Sequence, residues 1–281
     1  MTGIVSPTRR DALLGATGIS LAALAGSAKA SGGAVRQLPI ADVDAYLALR
    51  FARPGRAGWW INRATVFAMV LGRRTVPLFD VLGLGRDSYV AMPDGSFHLI
   101  FDECGWYCAP GTNVPLTTVV SPINGRTITV QHYRSPNDTY LRGGQQTAAK
   151  PIPPGVEIDY VRGQLRADAD QVWMSDDIFV RSPRNVPAEV LQVNPAAAWN
   201  VQSSLATYCA RRDDLAAYRR RWVPATSSYQ TLASWRTWFD ADETPGAMSW
   251  RMHGTKVARI ADISEPLLGL VRSQYPKLLE A

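Results

Sequence analysis

"SYVAMPDGSFHLIFDECGWY", from Ser88 to Tyr107, decides the fold class. Two runs of strand character flank Asp94-Gly95, a dipeptide that tolerates positive φ in a tight hairpin turn, so the two runs pair antiparallel. On the second arm Phe97, Leu99 and Phe101 share a face, and the next residue of that parity is Glu103. His98, Ile100 and Asp102 share the other face. A carboxylate that ends a phenylalanine-lined face is desolvated, which raises its pKa and fits it for acid or base work. The alternative is a carboxylate at a barrel rim, paired with an arginine such as Arg134.

Strand signals continue on both sides. Upstream stand "WWINRATVFAMVL" and "TVPLFDV"; downstream stand "LTTVV" and "RTITVQHY", with a second turn dipeptide at Asn124-Gly125. The region from Gly58 to Tyr133 therefore reads as antiparallel sheet. The last strand places Ile128, Val130 and His132 on one face, which makes His132 either a satisfied core imidazole or a proton-handling group. If the hairpins run as a meander, His132 and Glu103 stand two strand spacings apart, roughly 10 Å. Farther on, "PIPPGVEIDYVRGQ" and "ADQVWMSDDIFVR" read as a strand pair after a loop from Gly143 to Pro154, which reads as a lid or a mobile excursion. "AMSWRMHGTKVARI" reads as a late strand.

Helical spacing appears in three places. "IADVDAYLALRFA" puts Val43, Tyr46, Leu47 and Phe51 on one stripe. "SSLATYCARRDDLAAYRRRW", Ser203 to Trp222, does the same with Leu205, Tyr208, Cys209, Leu215 and Trp222, its arginines forming a solvated face. A final helix opens with Ser264 as cap and Pro266 just inside. The architecture is mainly β, of α+β type: a strongly curved antiparallel sheet or β-barrel with flanking N- and C-terminal helices.

The chain has 281 residues and a formal net charge of +6. Arg9-Arg10 precedes an uncharged run from Ala12 to Ala28, and Ala28-Lys29-Ala30 supplies small residues for a signal peptidase. This predicts a twin-arginine signal peptide over residues 1–30, cleaved after Ala30. The twin-arginine translocation machinery is then an export partner, and the location is periplasmic. Residues 31–43 read as linker and 44–281 as one domain. No second apolar run is long enough to span a bilayer, so no stable membrane anchor is predicted. The arginines are spread from Arg36 to Arg272, which demands no nucleic acid. Three cysteines allow one pair at most. Cys104 and Cys108 on a straight strand would stand roughly 13 Å apart, so buried thiols are favoured over a bridge folded back at Gly105.

Four stretches together resemble a family of unknown function, DUF1838, from about Asp44 onward. They are "TVPLFDVLGLGRDSYVAMPDGSFHLIFDECGWY", "SPINGRTITVQHYRSP", "ASWRTWFDADETPGAMSWRMHGTKVARI" and "YPKLL". The family's Asn-Pro-x-x-Gly element has Ser121-Pro122 here, and Ala109 in "CAPGTN" stands where the family carries an aspartate. The resemblance implies a bacterial and fungal family, often exported in bacteria, and brings no settled reaction.

The chain has no G-x-G-x-x-G, G-x-S-x-G, H-E-x-x-H or C-x-x-C, and only three histidines, so neither cofactor nor metal is expected. Glu103 and His132 are the candidate acid and base. Tyr107 or Tyr133 would donate a hydrogen bond, and Arg134 or Arg236 would hold a developing anion. His98, Trp106, Trp235, Arg236 and Trp238 are candidate substrate contacts, although each tryptophan reads equally as core. The expected partner is a small hydrophobic or aromatic molecule. The function expected is cofactor-free acid and base chemistry, as a lyase or isomerase. A lipocalin-type carrier and an accessory protein of an exported enzyme are the alternatives.

Overall fold

The structure is a computed structural model that describes residues 41–280. The expected signal peptide, its expected cleavage point and residues 31–40 of the expected linker lie outside the described residues. Helix α1 (Asp42–Arg50) begins the fold, two residues inside the range read as linker. It buries Tyr46 and Leu49 completely.

Three long strands follow: β1 (Gly58–Val70), β2 (Val76–Ala91) and β3 (Phe97–Cys108). The turn at Asp94-Gly95 joins β2 and β3, with Gly95 at φ 79°. "TVPLFDV" and "SYVAM" are one strand rather than two, running through Gly83 and Gly85. A small hairpin, β4 (Thr118–Val120) with β5 (Thr127–Thr129), turns at Asn124-Gly125, where φ is 74°. The strand expected over "RTITVQHY" breaks after Thr129, and β6 (Tyr133–Arg142) starts afresh. His132 therefore sits in the connection, not on an apolar strand face.

The loop from Gly143 to Pro154 contains β7 (Gln145–Ala148), bonded to β6. Then come β8 (Glu157–Arg162), β9 (Arg166–Ala167), β10 (Gln171–Pro183) and the short helix α2 (Ala188–Val193). The expected long helix from Ser203 is mostly strand. β11 (Trp199–Arg211) pairs with β10 and β12, and only α3 (Arg212–Ala216) is helical. Its inward residues Ser204, Ala206, Tyr208 and Ala210 recur every second position, and the cross-strand pairing overrides the helical spacing of its larger side chains. Strand β12 (Thr226–Ala233) had no sequence signal strong enough to be read. β13 (Gly246–Val257) and α4 (Glu265–Gln274) complete the chain. Ser264 and Pro266 stand where expected, but the serine side chain makes no capping bond.

The 11-stranded sheet runs β7-β6-β3-β2-β1-β13-β12-β11-β10-β8, with β9 beside β10, and every pairing is antiparallel. It curls until its edges β7 and β8 approach one another, a nearly closed barrel. Apolar side chains fill one end of the lumen around Tyr46, Phe51 and Met174, and the other around Val66, Phe79 and Met248. A third cluster lies outside, where α4 covers Leu84, Cys104 and Trp106 with Leu267 and Val271. Cys104 and Cys108 are buried free thiols, and burial pushes Cys104 up to about 12.

Lys256 on β13 fixes α1 in the barrel end. Its ammonium donates to the carbonyls of Ala48 (2.8 Å), Leu49 (2.9 Å) and Phe51 (3.0 Å), which satisfies the helix's orphan C-terminal acceptors.

Candidate functional site

Register builds the site. Glu103 on β3 stands opposite Gly85 on β2 and Ser135 on β6; one row on, Gly105 stands opposite Gly83 and Tyr133. β6 is thus the immediate neighbour of β3, not two strands away. The odd-numbered face of β3 is the lumen face. Glycines at inward positions leave room there, and at Gly105 the room is taken by Tyr133, whose ring lies where a Cβ would be.

Between the two apolar ends lies a polar layer. Glu103 Oε1 accepts from Asn62 Nδ2 at 3.1 Å and from the Tyr133 hydroxyl at 3.4 Å. Among the described residues no cation pairs with this carboxyl. Burial, then the charge of Asp87, pushes its pKa to about 7. Burial and the charge of Glu103 push Tyr133 well above the usual phenol range, so it remains a donor.

Beside this pair Arg50 reaches in from α1. It donates to Asp87 (3.3 Å), Asp176 (3.2 Å) and the Tyr46 hydroxyl (2.9 Å), with its guanidinium 4.2 Å from the Phe101 ring centre. Burial raises the pKa of both aspartates and Arg50 opposes it. A cavity of about 190 Å³ runs between these groups, walled by Trp60, Phe101, Tyr160, Tyr208 and Tyr229. It opens beside β6, whose exposed Ser135 and Asn137 have no strand outside them because β7 reaches only as far as Thr139. Among the described residues no three His, Cys, Asp or Glu side chains gather as a metal site. No helix among them is long and apolar enough to cross a membrane.

A family model described as "Protein of unknown function (DUF1838)" matches residues 57–281. The chain belongs to the DUF1838 family. No curated protein matches it. One solved structure, described as "Crystal structure of an N-terminal dehydratase from difficidin assembly line", is similar over 82% of this chain and 87% of that one, at 9% identity. Its TM-score of 0.12 is too low for the likeness to carry any argument.

This DUF1838 chain brings some of the residues singled out from sequence together and separates others. Tyr133 contacts Glu103, and Tyr107 meets Tyr133 edge to face at 6.0 Å. Tyr107 also hydrogen-bonds Arg236 and lies 5.2 Å from Trp238, within the apolar end of the lumen. Trp235 stacks on Phe239 there and donates to the Thr244 carbonyl. His132 does not line the cavity. Its Nδ1 accepts the Tyr107 backbone N–H at 3.2 Å, and burial lowers its pKa, so it is a neutral imidazole.

Three residues lie outside the barrel wall. Arg134 pairs with Asp102, not Glu103, through bonds of 3.0 and 2.7 Å, because residues 102 and 134 are both of outward parity. His98 meets Asp138 at 3.2 Å on the same outer side. Trp106 packs under α4 and donates to Gln274. Arg50, Asp87, Asp176 and Asn62 were not foreseen. Asn62 interrupts the buried face of Trp60, Ala64 and Val66 as Glu103 interrupts its own, so the same reading of β1 finds it.

Proposed function

We propose that this is an exported barrel-type enzyme that acts on a small hydrophobic or aromatic compound by cofactor-free acid and base chemistry, as a lyase or isomerase. The observation that carries the reading is Glu103: a lumen carboxyl with a pKa of about 7, held by neutral donors and facing an aromatic-walled cavity. Near neutral pH both of its forms are populated, the condition under which one group can take a proton and return it. In the carboxylate form Glu103 removes a proton from substrate carbon. The neutral Tyr133 hydroxyl donates to the oxygen on which charge develops. The protonated Glu103 then delivers the proton to another carbon, giving an isomer, or to a leaving oxygen, giving elimination. Asn62 holds the carboxyl through both steps. Arg50, already shared between two aspartates, shapes the wall instead of binding an anion.

A lipocalin-type carrier is the second reading, favoured by the position of His132, which leaves Glu103 without an imidazole partner in the cavity. Native mass spectrometry of protein from its own host identifies a retained compound, and turnover of that compound separates the readings. Glu103→Gln preserves both hydrogen-bond acceptance and size, so it should bind the compound and lose roughly a hundredfold or more in turnover. Undiminished turnover in Glu103→Gln rejects the acid and base reading; binding with no turnover in the natural protein gives the site to the carrier.

A further inference from the structure

A second cavity, of about 320 Å³, lies on the other side of α1 from the lumen, between that helix, the β2–β3 hairpin and the segment after α3. Phe51 is part of the partition: it lines this cavity, and its ring centre is 5.5 Å from Phe101, which lines the lumen. The floor is apolar and buried, with Leu47 at 4%, Phe51 at 1% and Val223 at 3% exposure. Phe51, Tyr89 and Phe97 form a run of edge-to-face rings, 5.6 and 5.8 Å apart. A concave apolar site of this size with few polar groups has the build of a small-molecule pocket.

Two further features say what it takes. Tyr89, only 8% exposed, lines the cavity, and its hydroxyl has no hydrogen-bond partner among the described residues. At the rim, Arg53 donates to the Arg220 carbonyl at 2.7 Å and Arg219 to the Tyr218 hydroxyl at 2.9 Å; neither forms a direct ion pair among the described residues, although the charge of Asp44 reaches Arg219 through Tyr218. The third rim arginine, Arg221, is already held by Asp214, and the acidic Asp44 is occupied as acceptor from Tyr218. With Arg221 paired to Asp214, Arg53 and Arg219 outnumber Asp44 by one charge, and a net positive rim above an aromatic floor matches a ligand with one anionic end and an apolar body. A bare inorganic anion would leave the floor unused.

We propose that this cavity is a second ligand site, separate from the lumen, for a small amphiphile whose carboxylate meets Arg53, Arg219 and the Tyr89 hydroxyl while its apolar part lies on Phe51 and Phe97. The test uses the full chain with 1-anilinonaphthalene-8-sulfonate as fluorescent probe and octanoate as competitor. One probe molecule should bind and octanoate should displace it. The double charge reversal Arg53→Glu with Arg219→Glu, at exposed positions, should weaken the probe about tenfold or more, the worth of hydrogen bonds to a charged group. Tyr89→Phe should weaken it several-fold, and Glu103→Gln, in the lumen, should leave it unchanged. Unfolding curves confirm that each variant remains folded. No probe binding, binding indifferent to the charge reversal, or binding lost in Glu103→Gln instead would each overturn the proposal.

Discussion

Asp102 and Glu103 are neighbours on one strand and differ in every condition that sets a carboxylate's chemistry. Asp102 points out, and the Arg134 guanidinium holds both of its oxygens. Glu103 points in, where two neutral donors reach only one oxygen and the largest charge effect, that of Asp87, is of its own sign and outweighs the opposing Arg50. The first arrangement fixes a charge at the surface, where an ion pair stabilises little. The second leaves a proton undecided near neutral pH. One step along a strand, turning the side chain through the sheet, separates an ion-paired acid from one whose pKa is raised toward neutrality.

The contrast breaks most severely if the lumen loses Arg50. Arg50→Met takes from Asp87 and Asp176 their only ion-pair partner among the described residues, leaving Lys256 and Arg162 to act on them without direct contact, and should cost about 3–5 kcal/mol at pH 7, the usual penalty for breaking a buried pair. Because both aspartates can accept protons, the deficit should shrink toward pH 4; denaturant unfolding at the two pH values measures it.

Glu103→Gln sharpens the contrast with a smaller effect of opposite sign. The folded pKa of about 7 lies above the ordinary 4.5, so between these values the folded protein holds a proton that the unfolded chain has lost. Stability from this group is therefore full below about 4.5, falls as pH rises through 7, and stays low above it. The amide does not titrate, so the variant should match the natural protein at pH 4.5 and exceed it by about 1–3 kcal/mol at pH 8, a range discounted for the hydrated cavity. Lys256, pushed down to about 7 chiefly by burial, slopes the other way above neutrality. Its contribution cancels in the difference between the two proteins. Equal pH dependence of the two thermal melts would contradict the raised pKa. On the outer face, Arg134→Ala should change stability by about 1 kcal/mol or less at any pH, since its side chain is 37% exposed.

Sequence made the sheet legible where pairing is local. The Asp94-Gly95 and Asn124-Gly125 turns and the alternation through Glu103 depend on residues a few positions apart, and the structure has all three. β11 was misread because Leu205, Tyr208 and Cys209 fit a helical stripe, while its strand state is dictated by β10 and β12 on either side. The site was half legible for the same reason. Glu103 shares the alternation of Phe97, Leu99 and Phe101, but Tyr133 follows a break after Thr129 that reverses the face its run predicts, and Asp176 and Arg50 are 126 residues apart and meet only when the barrel closes. Outward placement of His98, Trp106 and Arg134 needed the lumen side of β3 to be known, and alternation alone gives two equivalent faces.

The ammonium of Lys256 grips carbonyls up to 208 residues earlier in the chain. Such a contact closes a very long loop and cannot form until the last strand exists, whereas the helix's other anchors, the Trp60 indole on the Arg50 carbonyl and Arg50 on Asp87, are far more local. Until β13 pairs with β1, the last carbonyls of α1 lack the ammonium that binds them, so the final strand locks a helix that nearer contacts have already placed.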